Sequence, residues 1–158
     1  MLKNIILLIL LIVASRFIGL PANFSPLLAL AVFMPRLTDD LRIQYLLPVT
    51  IVAVTNLFLE PVDFIILATM LLVFAITPTV SRISTSLFWG ALSAVFIWHI
   101  VVNGAVWITN GGSIIDTYIA AIPFDLKLGI STGLYVAMFY SAERLWMSYS
   151  KPDKWEHL

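Results

Sequence analysis

The sequence has no cysteine, which excludes disulfides, thiolate metal sites and a cysteine nucleophile. Charge is nearly as scarce. Asp, Glu, Lys and Arg make up 11% of the chain, against about 25% in an ordinary soluble domain. Nine basic residues balance nine acidic ones, so no excess positive charge points to a nucleic-acid partner. Several chemical signatures are also missing. There is no G-x-x-x-x-G-K-[ST] loop to cradle a nucleotide, no H-E-x-x-H, no G-x-S-x-G and no carboxylate–histidine cluster with metal-ligand spacing. The expectation is a protein that is not an enzyme, with no catalytic residue, no metal site and no cofactor.

What the sequence does have is apolar bulk. The 158 residues are 61% hydrophobic and the mean hydropathy is +1.00. Such a chain cannot cover itself with polar surface in water, and a lipid bilayer is its natural solvent. The predicted fold class is all-α, a polytopic transmembrane helical bundle of about six spans in a single domain over residues 1–158.

A helical span needs roughly 20 apolar residues. On that measure the first span is Leu2–Leu20. Its Lys3, apolar run and small residues Ala14 and Ser15 also fit a cleaved signal peptide, but the reading taken is a retained span. Pro26–Pro35 is a short second segment, thin, tilted or re-entrant, and packed inside protein. Ile43–Leu59 is the third span, Val62–Val80 the fourth and Leu87–Ile108 the fifth. Asn110-Gly111-Gly112 is a strong turn signal. Ile114–Phe124 is too short to cross, and is expected to lie along the surface or fold back as a lid. Leu126–Met147 is the sixth span, and residues 148–158 form a polar tail.

Lys and Arg set the orientation. With the N-terminus in the cytoplasm, Lys3, Arg36, Arg42, Arg82, Arg144, Lys151 and Lys154 fall on the inner side and the outer turns carry none. Both termini are therefore expected in the cytoplasm, in a bacterial inner membrane. Glu60, Asp63, Asp116 and Asp125 collect on the outer side.

Polar groups within a bilayer are costly and tend to face a bundle interior or a cavity. The fifth span carries His99, Asn103 and Trp107 at i, i+4 and i+8, along one helical face. Imidazole, amide and indole together suit a small aromatic or heterocyclic ligand; the plainer alternative is hydrogen bonding between helices, with Trp107 as an interface anchor. Arg16, near the outer end of the first span, suits an anionic group, unless it snorkels or pairs with Glu60 or Asp63. Asn23 lies in the next turn, where it can cap the short helix. Asn56 and Glu60 share a face at the outer end of the third span, and Asp63 suits an N-cap. The candidate ligand-binding set is Arg16, Asn23, Asn56, Glu60, His99, Asn103 and Trp107, all converging on one outer level.

The sixth span places Gly129, Gly133, Ala137 and Ser141 four apart. This small-residue face serves internal packing or docking of a membrane partner. Ala29 of the short helix is a second docking candidate.

Asn23-Phe24-Ser25-Pro26-Leu27 with Ala29, then Trp98-His99 with Asn103 and Val106-Trp107, then Tyr118 with Ala121-Ile122-Pro123-Phe124, resemble a family of small uncharacterised bacterial membrane proteins. The resemblance runs from about Asn23 to Tyr140. The chain departs from the family pattern near Asn56, where an acidic residue is common, and at Ser131-Thr132, near which a Gly-Asp pair is common. That family is distantly similar to the substrate-binding S components of energy-coupling factor transporters. The similarity implies capture of a vitamin or micronutrient-like solute, and docking onto a transmembrane coupling subunit with ATPases. The expected partners are thus the lipid bilayer, such a coupling subunit and a small-molecule ligand. The competing expectation is a structural or assembly subunit of a larger membrane complex. A cavity of about 300 Å³ or more, lined by the named polar residues, would separate the two.

Overall fold

The computed structural model describes residues 10, 12–18, 23–59 and 61–149. Glu60 and residues 150–158, the bulk of the anticipated tail, lie outside the described residues, as does most of the first anticipated span. Residues 12–15 are helical, and five helices follow: α1 Leu27–Leu37, α2 Leu41–Asn56, α3 Phe64–Ile83, α4 Leu87–Asn110 and α5 Ile114–Tyr149. The all-α bundle expected from the sequence is the architecture observed. Among the described residues α3, α4 and α5 are long and apolar enough to cross a membrane, and the chain reads as a helical membrane protein.

Helix α1 is the centre of the bundle. Its 11 residues span only ~16 Å, about half of a ~30 Å hydrocarbon core. Every residue from Leu27 to Met34 is buried. A helix apolar all round must be enclosed by other helices, and α2, α3, α4 and α5 all pack against this one. The expectation of a short helix inside protein holds, but its consequence for Ala29 is the reverse of the docking role. Ala29 is 0% exposed and has no surface to offer a partner.

The starts of the helices follow local chemistry. Asp40 accepts from the Arg42 backbone N–H at the start of α2. Asp63 does the same for Ile65 at the start of α3, and Ser86 for Trp89 at the start of α4. These side chains satisfy N–H groups that the first turn leaves without partners. Helix α4 stops at Gly111, whose φ of 70° is followed by 87° at Gly112. Those left-handed values favour glycine and reverse the chain into α5.

Helix α5 corrects the expectation of a separate lid. Ile114–Phe124 and Leu126–Met147 belong to one helix of 36 residues, ~54 Å long. Pro123 does not break it. Proline cannot donate to the carbonyl of Ile119, but a packed helix tolerates that loss where neighbours hold it in place. Tyr118 supplies part of that hold, since its hydroxyl donates to the carbonyl of Ile100 in α4 at 2.7 Å.

The helices run alternately, which gathers four of the five arginines at one end. One end holds Arg36, Arg42, Arg82 and Arg144. There Arg36 pairs with Glu143 at 2.8 Å, and Arg82 donates to Gln44, which is itself buried. The opposite end holds Asp63, which accepts from Thr109 at 3.4 Å, and Arg16, which donates to Asn56.

Candidate functional site

His99 and Asn103 lie one turn apart on α4, and the structure gives them a partner that the sequence reading had placed elsewhere. Asp125 is not in an outer turn. It sits within α5, is 7% exposed, and faces the middle of α4. Asn103 Nδ2 donates to Asp125 Oδ2 at 2.6 Å, and His99 Nδ1 lies 2.7 Å from the same oxygen. One proton lies between His99 Nδ1 and Asp125 Oδ2. The 3.2 Å approach of Asn103 Nδ2 to His99 Nδ1 follows from both groups meeting at one oxygen. Asn103 Nδ2 also reaches the backbone carbonyl of His99 at 2.9 Å. The Tyr118 ring stands edge-on to the imidazole with centroids 5.3 Å apart.

The cluster opens onto a groove of about 480 Å³ between α4 and α5. Phe88, Leu92 and Phe96 from α4, with Ile122, Leu126 and Ile130 from α5, form its apolar walls and rim. His99 and Asp125 are the polar lining. The groove lies on the flank of the bundle, not in its interior. It exceeds the size expected of a ligand cavity, but its lining differs from the expected one, since His99 is the one predicted ligand residue in it.

The remaining predicted residues are distributed along the bundle. Arg16 and Asn56 meet directly, while Arg16 Nε and Asn56 Nδ2 are buried and have no hydrogen-bond partner among the described residues. Asn23 adopts a left-handed φ of 63°, and its carbonyl accepts from Ser131 Oγ at 3.4 Å; it does not cap α1. Trp107 Nε1–H donates to the carbonyl of Gly112 at 3.1 Å, so the indole closes the glycine turn. The stripe His99–Asn103–Trp107 therefore divides into a polar pair, half-buried His99 and buried Asn103, and a turn anchor.

The small-residue face of α5 also differs from the packing role favoured by its composition. The buried stripe of α5 is Asp125, Leu128, Ser131, Thr132, Val136 and Phe139. Gly129, Gly133 and Ala137 lie about 100° round the helix from Leu128, Thr132 and Val136. Gly129 meets Val95 of α4, where an added Cβ would lie 3.6 Å away, but Gly133 and Ala137 are exposed.

Asp125 is the member of the candidate site that the sequence reading left out of its ligand set. The available signal was its setting, with apolar residues on both sides at Phe124 and Leu126 and a His–Asn face in need of an acceptor one span away. Ending one segment at Phe124 and beginning the next at Leu126 hid it.

No curated protein and no solved structure matches the chain. A family model matches residues 2–153, nearly the whole length. The chain belongs to that family, DUF6580, a family of unknown function.

Proposed function

We propose that this protein is a small-solute-binding membrane subunit of a transporter, working in the manner of an energy-coupling factor S component and handing its solute to a partner coupling subunit with ATPases. The observation that carries the proposal is the His99–Asn103–Asp125 cluster at mid-length of α4. A charged group at the centre of a span costs ~2.5–3.5 kcal/mol on insertion scales, and such groups usually mark a ligand or ion path. Here the cluster is hydrogen-bonded on one side and faces a groove on the other. The chain carries no nucleotide loop, so energy would come from the partner.

The test is native mass spectrometry of protein gently purified from its own membrane, with analysis of whatever it releases. A stoichiometric small molecule, lost in the His99→Ala/Asn103→Ala variant, is expected. A stable protein partner with no small molecule would instead support the structural or assembly role. The exposed Gly133 and Ala137 favour that second reading, because small residues let a neighbouring helix approach closely.

The reading includes an orientation in the bacterial inner membrane, with the arginine-rich end in the cytoplasm. The absence of native cysteine makes single-cysteine labelling clean. In intact spheroplasts, Ser113→Cys is expected to react with a membrane-impermeant maleimide, and Thr38→Cys only after permeabilisation. The opposite pattern would invert the topology.

A further inference from the structure

The polar end of the α4–α5 groove has unused hydrogen-bonding capacity. Asp125 Oδ2 takes both His99 and Asn103. Asp125 Oδ1 and His99 Nε2 have no hydrogen-bond partner among the described residues, and neither is sealed from the groove. The proton that His99 and Asp125 share lies between Nδ1 and Oδ2, so Asp125 Oδ1 accepts, while an imidazole Nε2 can serve in either role. Both atoms are free to meet a ligand, set in walls that are otherwise apolar. What satisfies them must bring a donor. It must also bring apolar surface to cover Phe96, Ile122 and Leu126, and it must arrive from the side, because the groove lies on the flank of the bundle.

We infer that the groove is a laterally accessed binding site for a membrane-soluble alcohol or phenol: an apolar chain or ring whose single hydroxyl donates to Asp125 Oδ1 and meets His99 Nε2. This deepens the solute-binding reading and rests on it. A hydroxyl fits better than an ammonium, since carrying a full charge through the hydrocarbon costs far more than carrying a neutral donor. A volume of about 480 Å³ falls in the ordinary ligand range of roughly 300–1,000 Å³. A helix lying over the groove would satisfy the cluster only with a hydroxyl or amide placed opposite Asp125, whereas a lipid-soluble alcohol brings the donor and the apolar surface together.

The probe is a long-chain fatty alcohol carrying a photoactivatable diazirine, used on full-length protein in phosphatidylcholine nanodiscs. Its methyl ether, which keeps the oxygen but loses the donor, is the control. Gly133→Leu is the occluding variant. An added Cβ at Gly133 meets nothing within 4 Å, so the leucine fills groove space without disturbing the core. The alcohol is expected to label peptides containing Phe96 and Ile122 about tenfold more than the ether does, the worth of one well-placed hydrogen bond. Gly133→Leu is expected to abolish that difference. Equal labelling by alcohol and ether, or a difference that survives Gly133→Leu, would overturn the inference. So would Gly133→Cys that forms a disulfide-linked dimer and excludes the probe, because a second copy would then occupy the groove. The solute-binding proposal fails separately: a native molecule retained by Gly133→Leu leaves it standing and rejects the groove as its site.

Discussion

Replacing Asp125 with alanine is expected to lower the stability of the bundle by ~2–3 kcal/mol, read by reversible unfolding in mixed micelles. The magnitude rests on two competing scales. Interhelical hydrogen bonds in membrane proteins average only ~0.6 kcal/mol in double-mutant cycles. Hydrogen bonds to a charged group contribute ~1.5–3 kcal/mol, and removing one partner of a buried pair also leaves the other unsatisfied. The second scale governs here, because one carboxylate oxygen of Asp125 receives both His99 and Asn103 and the residue is 7% exposed. Asn103 keeps its bond to the His99 carbonyl, which caps the loss. The cycle with His99→Ala sharpens the test. The double variant is expected to cost ~1 kcal/mol or more less than the sum of the singles, since removing both members leaves fewer unpaired groups. Additive effects would mean that the pair is not coupled, and the candidate site would lose its centre.

The second large effect is expected at Gly90. A Cβ built there would come within 3.2 Å of the Ser81 Cα and 3.3 Å of its Oγ. The first of these is backbone, which cannot rotate away, and Ser81 is itself fixed by donating to the Val32 carbonyl at 2.6 Å. Helices α3, α4 and the buried α1 therefore meet at this point. Gly90→Leu is expected to cost ~3 kcal/mol, at the upper end of overpacking penalties. The ~1 kcal/mol by which a helix interior prefers other residues to glycine offsets only part of that. Gly133→Leu supplies the comparison, with an expected gain of up to ~1 kcal/mol from helix propensity alone, because its Cβ meets nothing. A similar cost at both glycines would show that the α3–α4 contact is not tight. The two substitutions are chemically identical, so helix propensity cannot account for a difference between them.

Much of the fold was legible because the bilayer imposes a simple rule. Apolar length predicts a span, which located α3 and α4 to within a few residues. Glycines in Asn110-Gly111-Gly112 located the turn, since only a residue without Cβ adopts those φ values freely. The short apolar segment before Arg36 had to be buried, because it could neither cross the membrane nor face water. Other elements were misread where a local rule met a tertiary exception. A break was expected between Phe124 and Leu126, yet α5 runs through it, and through Pro123, because α4 holds the helix on both sides. The small residues of α5 looked like a packing face, yet the register of Asp125, Leu128 and Thr132 against the bundle turned Gly133 and Ala137 outwards.

By itself, then, the sequence determined the solvent, the helical class and the polar inventory. Composition and hydropathy sum over many residues, and no single contact can reverse them. The tertiary structure decided which polar groups meet. His99 and Asn103 are one helical turn apart in the chain, but Asp125 is separated from His99 by the glycine turn and a third of α5. Their hydrogen bonds depend on the rotation and axial offset of two helices. Those are set by packing across the whole α4–α5 contact, through side chains that carry no local mark of it.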